Sequence, residues 1–189
     1  MKDLFELLCS QDGEYKLFFH RMFVCGNFYT VNKLQPFLAN RLIYESGYQH
    51  IIDGIKYSAV IYKYGNIAIM KLDDDSDAIS FDFSGCYMAV FTLGHQKYVA
   101  HIAKEGSPYA AVKEWNSLVE SRLIGNAILF KPSEYFPIRL NGIWGIITSR
   151  GDCYSIMTYE DQNNRKCYLP PDGISRACPL LGRNAIIPL

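Results

Sequence analysis

The sequence carries no excess of either charge: 19 lysines and arginines balance 19 aspartates and glutamates. A protein that grips a phosphate backbone needs a clustered basic surface, so this balance removes the electrostatic argument for a nucleic-acid partner. No run approaches the roughly 18 apolar residues of a membrane helix, so no membrane insertion is expected. At the start, Asp3 and Glu6 interrupt the short apolar stretch ending at Cys9, which is not the unbroken core of a Sec signal. Secretion without such a signal, into the cytosol of a target cell, or else a cytoplasmic location, is the expectation. The six cysteines, at 9, 25, 86, 153, 167 and 178, include no CxxC pair, so zinc ribbons and thioredoxin-like chemistry have no support. Gly-x-Ser-x-Gly elbows, phosphate loops and dinucleotide fingerprints are also missing. The acidic run Asp73-Asp74-Asp75-Ser76-Asp77 lacks the glycine and glutamate of a calcium loop and reads as a solvated loop. No metal or organic cofactor is implied.

What the chain does have is core material: 49% of its 189 residues are hydrophobic and 20% are charged. A single domain spanning 1–189 should bury about 70% of its unfolded surface and fold without disulfides, so mostly reduced thiols are expected. A short helix is expected over 2–9, a strand over 15–24 and a helix over 32–45. Segments 57–62 and 67–72 read as strands, with Tyr64-Gly65-Asn66 between them as a hairpin turn. Further strands are expected over 79–83, 86–92, 97–103, 127–130, 143–148, 153–159 and 166–169, with Arg150-Gly151-Asp152 turning between two of them. The clearest helix covers 108–123, with Ser107 as its N-cap, Pro108 at its first position and Gly125 closing it. Ala111, Trp115, Leu118 and Leu123 would face inward, and the tail from Pro170 reads as coil. Many short strands and few helices point to an α+β fold, a largely antiparallel β-sandwich flanked by helices.

Phe83-Ser84-Gly85-Cys86 and the hairpin that follows offer chemistry. With Gly94-His95 as a type II′ turn, Leu93 faces Gln96 and Met88 faces His101. Cys86 and His101 then lie on one face as diagonal neighbours, with backbones about 7–8 Å apart. Moving the turn to Leu93-Gly94 would set them directly opposite, and a three-residue loop would put them on opposite faces. A histidine beside a thiol stabilises the thiolate, the nucleophilic form. Gly85 allows a substrate close to the backbone, and the amide of Cys86 can hold an oxyanion.

Ser84-Gly85-Cys86 with His101 fifteen residues on resembles the catalytic core of the cytotoxic necrotizing factor toxins. Burkholderia lethal factor and the chemoreceptor glutamine deamidases are similar in fold and in their Cys-His pair. The resemblance covers about twenty residues, and Phe83 stands where a leucine is usual. It implies a layered β-sandwich, with Cys86 as nucleophile and His101 as general base. It also implies deamidation of a glutamine exposed on a protein substrate, by a toxin or effector. The third, orienting group varies among such proteins; Ser80, six residues before Cys86, is the position to test. Transglutamination, in which an amine replaces water, and peptide hydrolysis use the same pair. A different class remains open, a non-catalytic interaction domain with an aromatic sheet surface. The sequence does not name the target or the oligomeric state. Arg150-Gly151-Asp152, an integrin-type tripeptide, is explained as a turn.

Overall fold

The computed structural model describes residues 30–33, 41–52, 54–106, 108–136, 142–160, 166–168 and 173–189. The helix expected over 2–9 and the strand expected over 15–24 lie outside them. The chain first forms β1 (Thr30–Lys33), β2 (Ile43–Ile52), β3 (Ile55–Val60), β4 (Ile67–Lys71) and β5 (Asp77–Ser80). The hairpin β6 (Tyr87–Leu93) and β7 (Gln96–Ile102) follows, then α1 (Ala110–Glu120) and β8 (Ile124–Phe130). The remaining strands are β9 (Gly142–Ile147), β10 (Cys153–Glu160), β11 (Lys166–Tyr168), β12 (Ile174–Ala177) and β13 (Leu180–Leu181).

These strands make one sheet, not a sandwich. Its continuous path runs β11-β10-β9-β5-β3-β2-β4-β7-β6-β8-β13, with β1 beside β2 and β12 beside β10, curled into a half-barrel. The expected α+β sandwich flanked by helices is therefore wrong: α1 is the one α-helix among the described residues. The physical reason is β2. Residues Ile43–Glu45 pair in parallel with β4, whereas Gly47–Ile52 pair antiparallel with β3. One strand thus belongs to both arcs and welds two would-be layers into a single surface. Gly47 stands at the changeover, where a Cβ would lie 2.0 Å from the Ala59 carbonyl oxygen and 2.4 Å from Met70 Cγ. Only glycine fits so close a crossing.

The helix expected over 32–45 is contradicted where it is described, by β1 and by the start of β2. Tyr64-Gly65-Asn66 does turn the chain, with the Asn66 N–H donating to the Lys63 carbonyl at 3.1 Å, but it makes no hairpin. β3 pairs with β2 and β5, and β4 with β2 and β7, so β2 lies between the two expected partners. Helix α1 is shorter than its pattern. Ser107 lies outside the described residues; Tyr109 occupies the cap position in a left-handed conformation (φ 59°) with no side-chain cap. The helix stops at Glu120, Leu123 is exposed, and Gly125 sits within β8. The tail contains β12 and β13 rather than coil alone.

Three packed clusters result among the described residues, and two of them flank the β6–β7 hairpin. Against the outer face of β6 and β7, Tyr87, Ala89, Phe91, Tyr98, Ala100 and Ile102 meet Trp115 and Leu118 of α1. On the inner face, Cys86, Met88, Val90 and Val99 meet Ala78, Ile143, Ile147 and Cys153 from the opposite arc. No helix among the described residues is long and apolar enough to cross a membrane.

Candidate active site

The register of the β6–β7 hairpin is the one expected from the Gly94-His95 turn: Leu93 pairs with Gln96 and Met88 with His101. Gly94 has φ 60° while His95 keeps a negative φ, as a type II′ turn requires. The hydrogen-bonded ladder ends at Tyr87 and Ile102, one residue short of Cys86. Side chains alternate across a strand, so Cys86, Met88, Val99 and His101 share the inner face.

Ser80 reaches this face from β5. Three strands (β3, β2 and β4) separate β5 from β7 along the sheet, close to 20 Å at about 4.8 Å per strand. Yet Ser80 Oγ lies 2.8 Å from His101 Nδ1, because the curl brings the two arcs together. Ser80 Oγ also donates to the Val60 carbonyl at 2.8 Å. A hydroxyl has one proton, and a carbonyl can only accept. The ring Nδ1–H must therefore donate to Ser80 Oγ, leaving Nε2 with its lone pair. That is the tautomer of a general base.

Nε2 itself is buried and has no hydrogen-bond partner. An unsatisfied buried acceptor costs about 1–3 kcal/mol. Phe83 stacks on the imidazole at 4.2 Å with 7° between the planes, and Tyr62 meets it edge-on at 5.1 Å. The left-handed backbone at Asp82 (φ 55°) turns the chain so that Phe83 tucks inward, anchored by its N–H on the Ile143 carbonyl at 2.9 Å. Enclosed in this way, the ring is pulled down to a pKa of about 3 by loss of hydration.

Cys86 is buried too, and burial pushes its thiol upward despite the Lys104 backbone N–H that favours the thiolate. Its S–H points to Glu105 Oε1 at 3.8 Å, not to the ring. Glu105 also accepts from the Tyr62 hydroxyl. The resting pair is thus a neutral thiol and a neutral imidazole, on one face but not hydrogen-bonded. The site is closed to solvent at rest, since Cys86 is 2% and His101 0% exposed. The cover is thin beside Cys86: Ser84 is exposed, and a Cβ added to Gly85 would meet nothing within 4 Å.

Ser80, Cys86 and His101 are therefore brought to one interior, with Ser80 joined to His101 directly. Glu105 was invisible in the sequence, since it lies beyond a strand end where no periodicity speaks; Tyr62 fell in the strand expected over 57–62, which ends at Val60, and carried no sign of a place beside the site. Phe83 did leave a trace, as the aromatic in place of the usual leucine. Cys153 is buried with its thiol raised to about 12, chiefly by burial and then by Asp152, and Cys178 is exposed. The side chains of Cys9, Cys25 and Cys167 lie outside the described residues, as does His20. His95 is exposed in the turn, and His50 packs edge-on against Tyr57 at 6.0 Å. The acidic run is not uniformly solvated, for Asp77 is buried and accepts the Ser149 N–H at 2.7 Å. A cleft of about 320 Å³ opens at the far end of the hairpin, lined by Thr92, Lys97, Thr148 and Arg150 among others, and includes none of the three site residues.

Comparison with family models, with curated proteins and with solved structures returned no match.

Proposed function

We propose that this chain is a cysteine-dependent amidohydrolase that deamidates a glutamine exposed on a protein substrate, as a toxin or effector acting in the cytosol of a target cell. The observation that carries this reading is the bare Nε2 of His101, held as a proton acceptor by Ser80 on the face that bears Cys86. A substrate carboxamide would approach past Ser84 and Gly85, where the backbone is open. As its carbonyl carbon nears the sulfur, the thiol proton passes to Nε2 and the thiolate attacks. The backbone N–H of Cys86 is the donor that this reading assigns to the oxyanion. Collapse breaks the C–N bond, and the imidazolium returns its proton to the leaving nitrogen, which departs as ammonia. Water, deprotonated by the same nitrogen, cleaves the thioester to glutamate and restores the thiol. An amine in place of water gives transglutamination on the same machinery.

Closure of the resting site favours a second reading. A buried thiol and ring, with Ile51, Tyr64, Leu180 and Leu181 exposed elsewhere, also suit a non-catalytic domain that binds a partner through its surface. One experiment separates them. Proteins of a target-cell lysate incubated with wild type are expected to include one that gains about one mass unit, NH₂ replaced by OH through the thioester route. The gain should vanish with Cys86→Ser. No Cys86-dependent gain anywhere in the lysate removes the enzyme reading and leaves the binding domain.

A further inference from the structure

Among the described residues Glu105 is the one carboxylate seen at the sulfur, and it receives two donors at a single oxygen: the Cys86 S–H at 3.8 Å and the Tyr62 O–H. Tyr62 in turn meets the His101 ring edge-on at 5.1 Å, so the acceptor is tied to the wall of the base. Glu105 is half-buried, on the turn made by Gly106 (φ 88°), at the mouth of the closed site rather than within the core.

We propose that Glu105 selects a carboxamide over an ester or a carboxylate, a reading that rests on Cys86 acting on an amide. When the thiol proton moves to Nε2, Glu105 loses one of its two donors. A carboxamide brings two N–H donors and can fill that place, setting its carbonyl carbon beside the sulfur. An ester brings no donor, and its arrival leaves the carboxylate short of a partner. A carboxylate brings a like charge into a poorly hydrated site and is repelled. The product of deamidation is such a carboxylate, so the residue that admits the substrate also expels what it becomes. Tyr62, bonded to the same oxygen, occupies the other acceptor place and takes no part in the choice.

The test reads Cys86 without turnover. Iodoacetamide carries a carboxamide and iodoacetate a carboxylate, and peptide mass mapping gives the rate of each at Cys86, with exposed Cys178 as the internal reference. In folded wild type the preference for iodoacetamide at Cys86 should exceed that at Cys178 by about tenfold, the scale of one nearby partly buried charge. Glu105→Gln keeps the acceptor for Tyr62, so the fold is retained, and should bring the preference down to that of Cys178. Tyr62→Phe keeps the charge and should keep the preference. An equal preference in wild type and Glu105→Gln overturns the proposal, as does its loss in Tyr62→Phe, which would make packing its cause. Failure of both reagents to reach Cys86 in folded wild type overturns it too, since no visiting group then meets Glu105. Deamidation that depends on Cys86 with an unmoved reagent preference removes only the role of Glu105. A moved preference with no deamidated protein in the lysate removes only the enzyme.

Discussion

Ser80 has a single proton and two neighbours, and the way it divides them decides the state of His101. Ser80→Ala strips the Val60 carbonyl and the ring N–H of a buried partner together. We expect a loss of about 1–3 kcal/mol in urea denaturation and a fall in Cys86-dependent deamidation of about 10²-fold, the lower scale of acid–base catalysis. Imidazole ¹⁵N shifts should show a proton on Nδ1 in wild type and a mixture of tautomers in the variant. The ring also gives stability a pH dependence. Its pKa falls from 6.5 to about 3 on folding, so between those values the unfolded chain binds a proton that the folded one does not. Stability contributed by the neutral ring is present above pH 6.5 and is lost as pH falls, by about 1.4 kcal/mol per unit, levelling off below the folded pKa. Urea midpoints from pH 7.5 to about 4.5 should show this slope in wild type, and His101→Gln should flatten it. An equal slope in the variant would assign the loss to other groups.

At the scale of elements, the chain speaks clearly where contacts are local. The β6–β7 hairpin was legible because a glycine at the first turn position fixes the register, and the register fixes which residues share a face. With it, Cys86 and His101 could be placed together. Tyr64-Gly65-Asn66 offered the same local signal and misled, because the strands on either side both prefer β2. That preference is invisible in sequence: β2 reads Ile-Tyr-Glu-Ser-Gly-Tyr-Gln-His-Ile-Ile, without clean alternation, and its neighbours depend on which half is considered. Gly47 is the mark it left. Gly47→Ala places a Cβ against the Ala59 carbonyl and Met70, and should cost about 2–3 kcal/mol in chemical denaturation through forced overpacking. A change below a few tenths would mean that β2 crosses between its partners with more room than this geometry gives it.

The whole molecule is held by contacts between residues far apart in sequence, which is why its curl could not be read in advance. β5 pairs with β9 through Ala78 and Ile147, and the C-terminal strap reaches back over α1. There the Trp115 indole N–H donates to the Ala185 carbonyl at 2.7 Å, and Asn116 exchanges two hydrogen bonds with the Ile187 backbone. Ala185 and Ile187 are fully enclosed. Deleting residues 185–189 should lower stability by about 3 kcal/mol, seen as a fall of roughly 6–12 °C in Tm for a chain of this size. An unchanged Tm would show that the strap rests on the helix without supporting it.

The bond between Ser80 and His101 is a clasp between the two ends of an arch. A growing or loosened chain can fold the thiol's own hairpin, yet its imidazole has no fixed proton until the opposite arc arrives to receive one. On the proposed reading, reactivity at Cys86 waits on completion of the arch, and an incompletely folded copy holds the thiol without an imidazole whose tautomer is set.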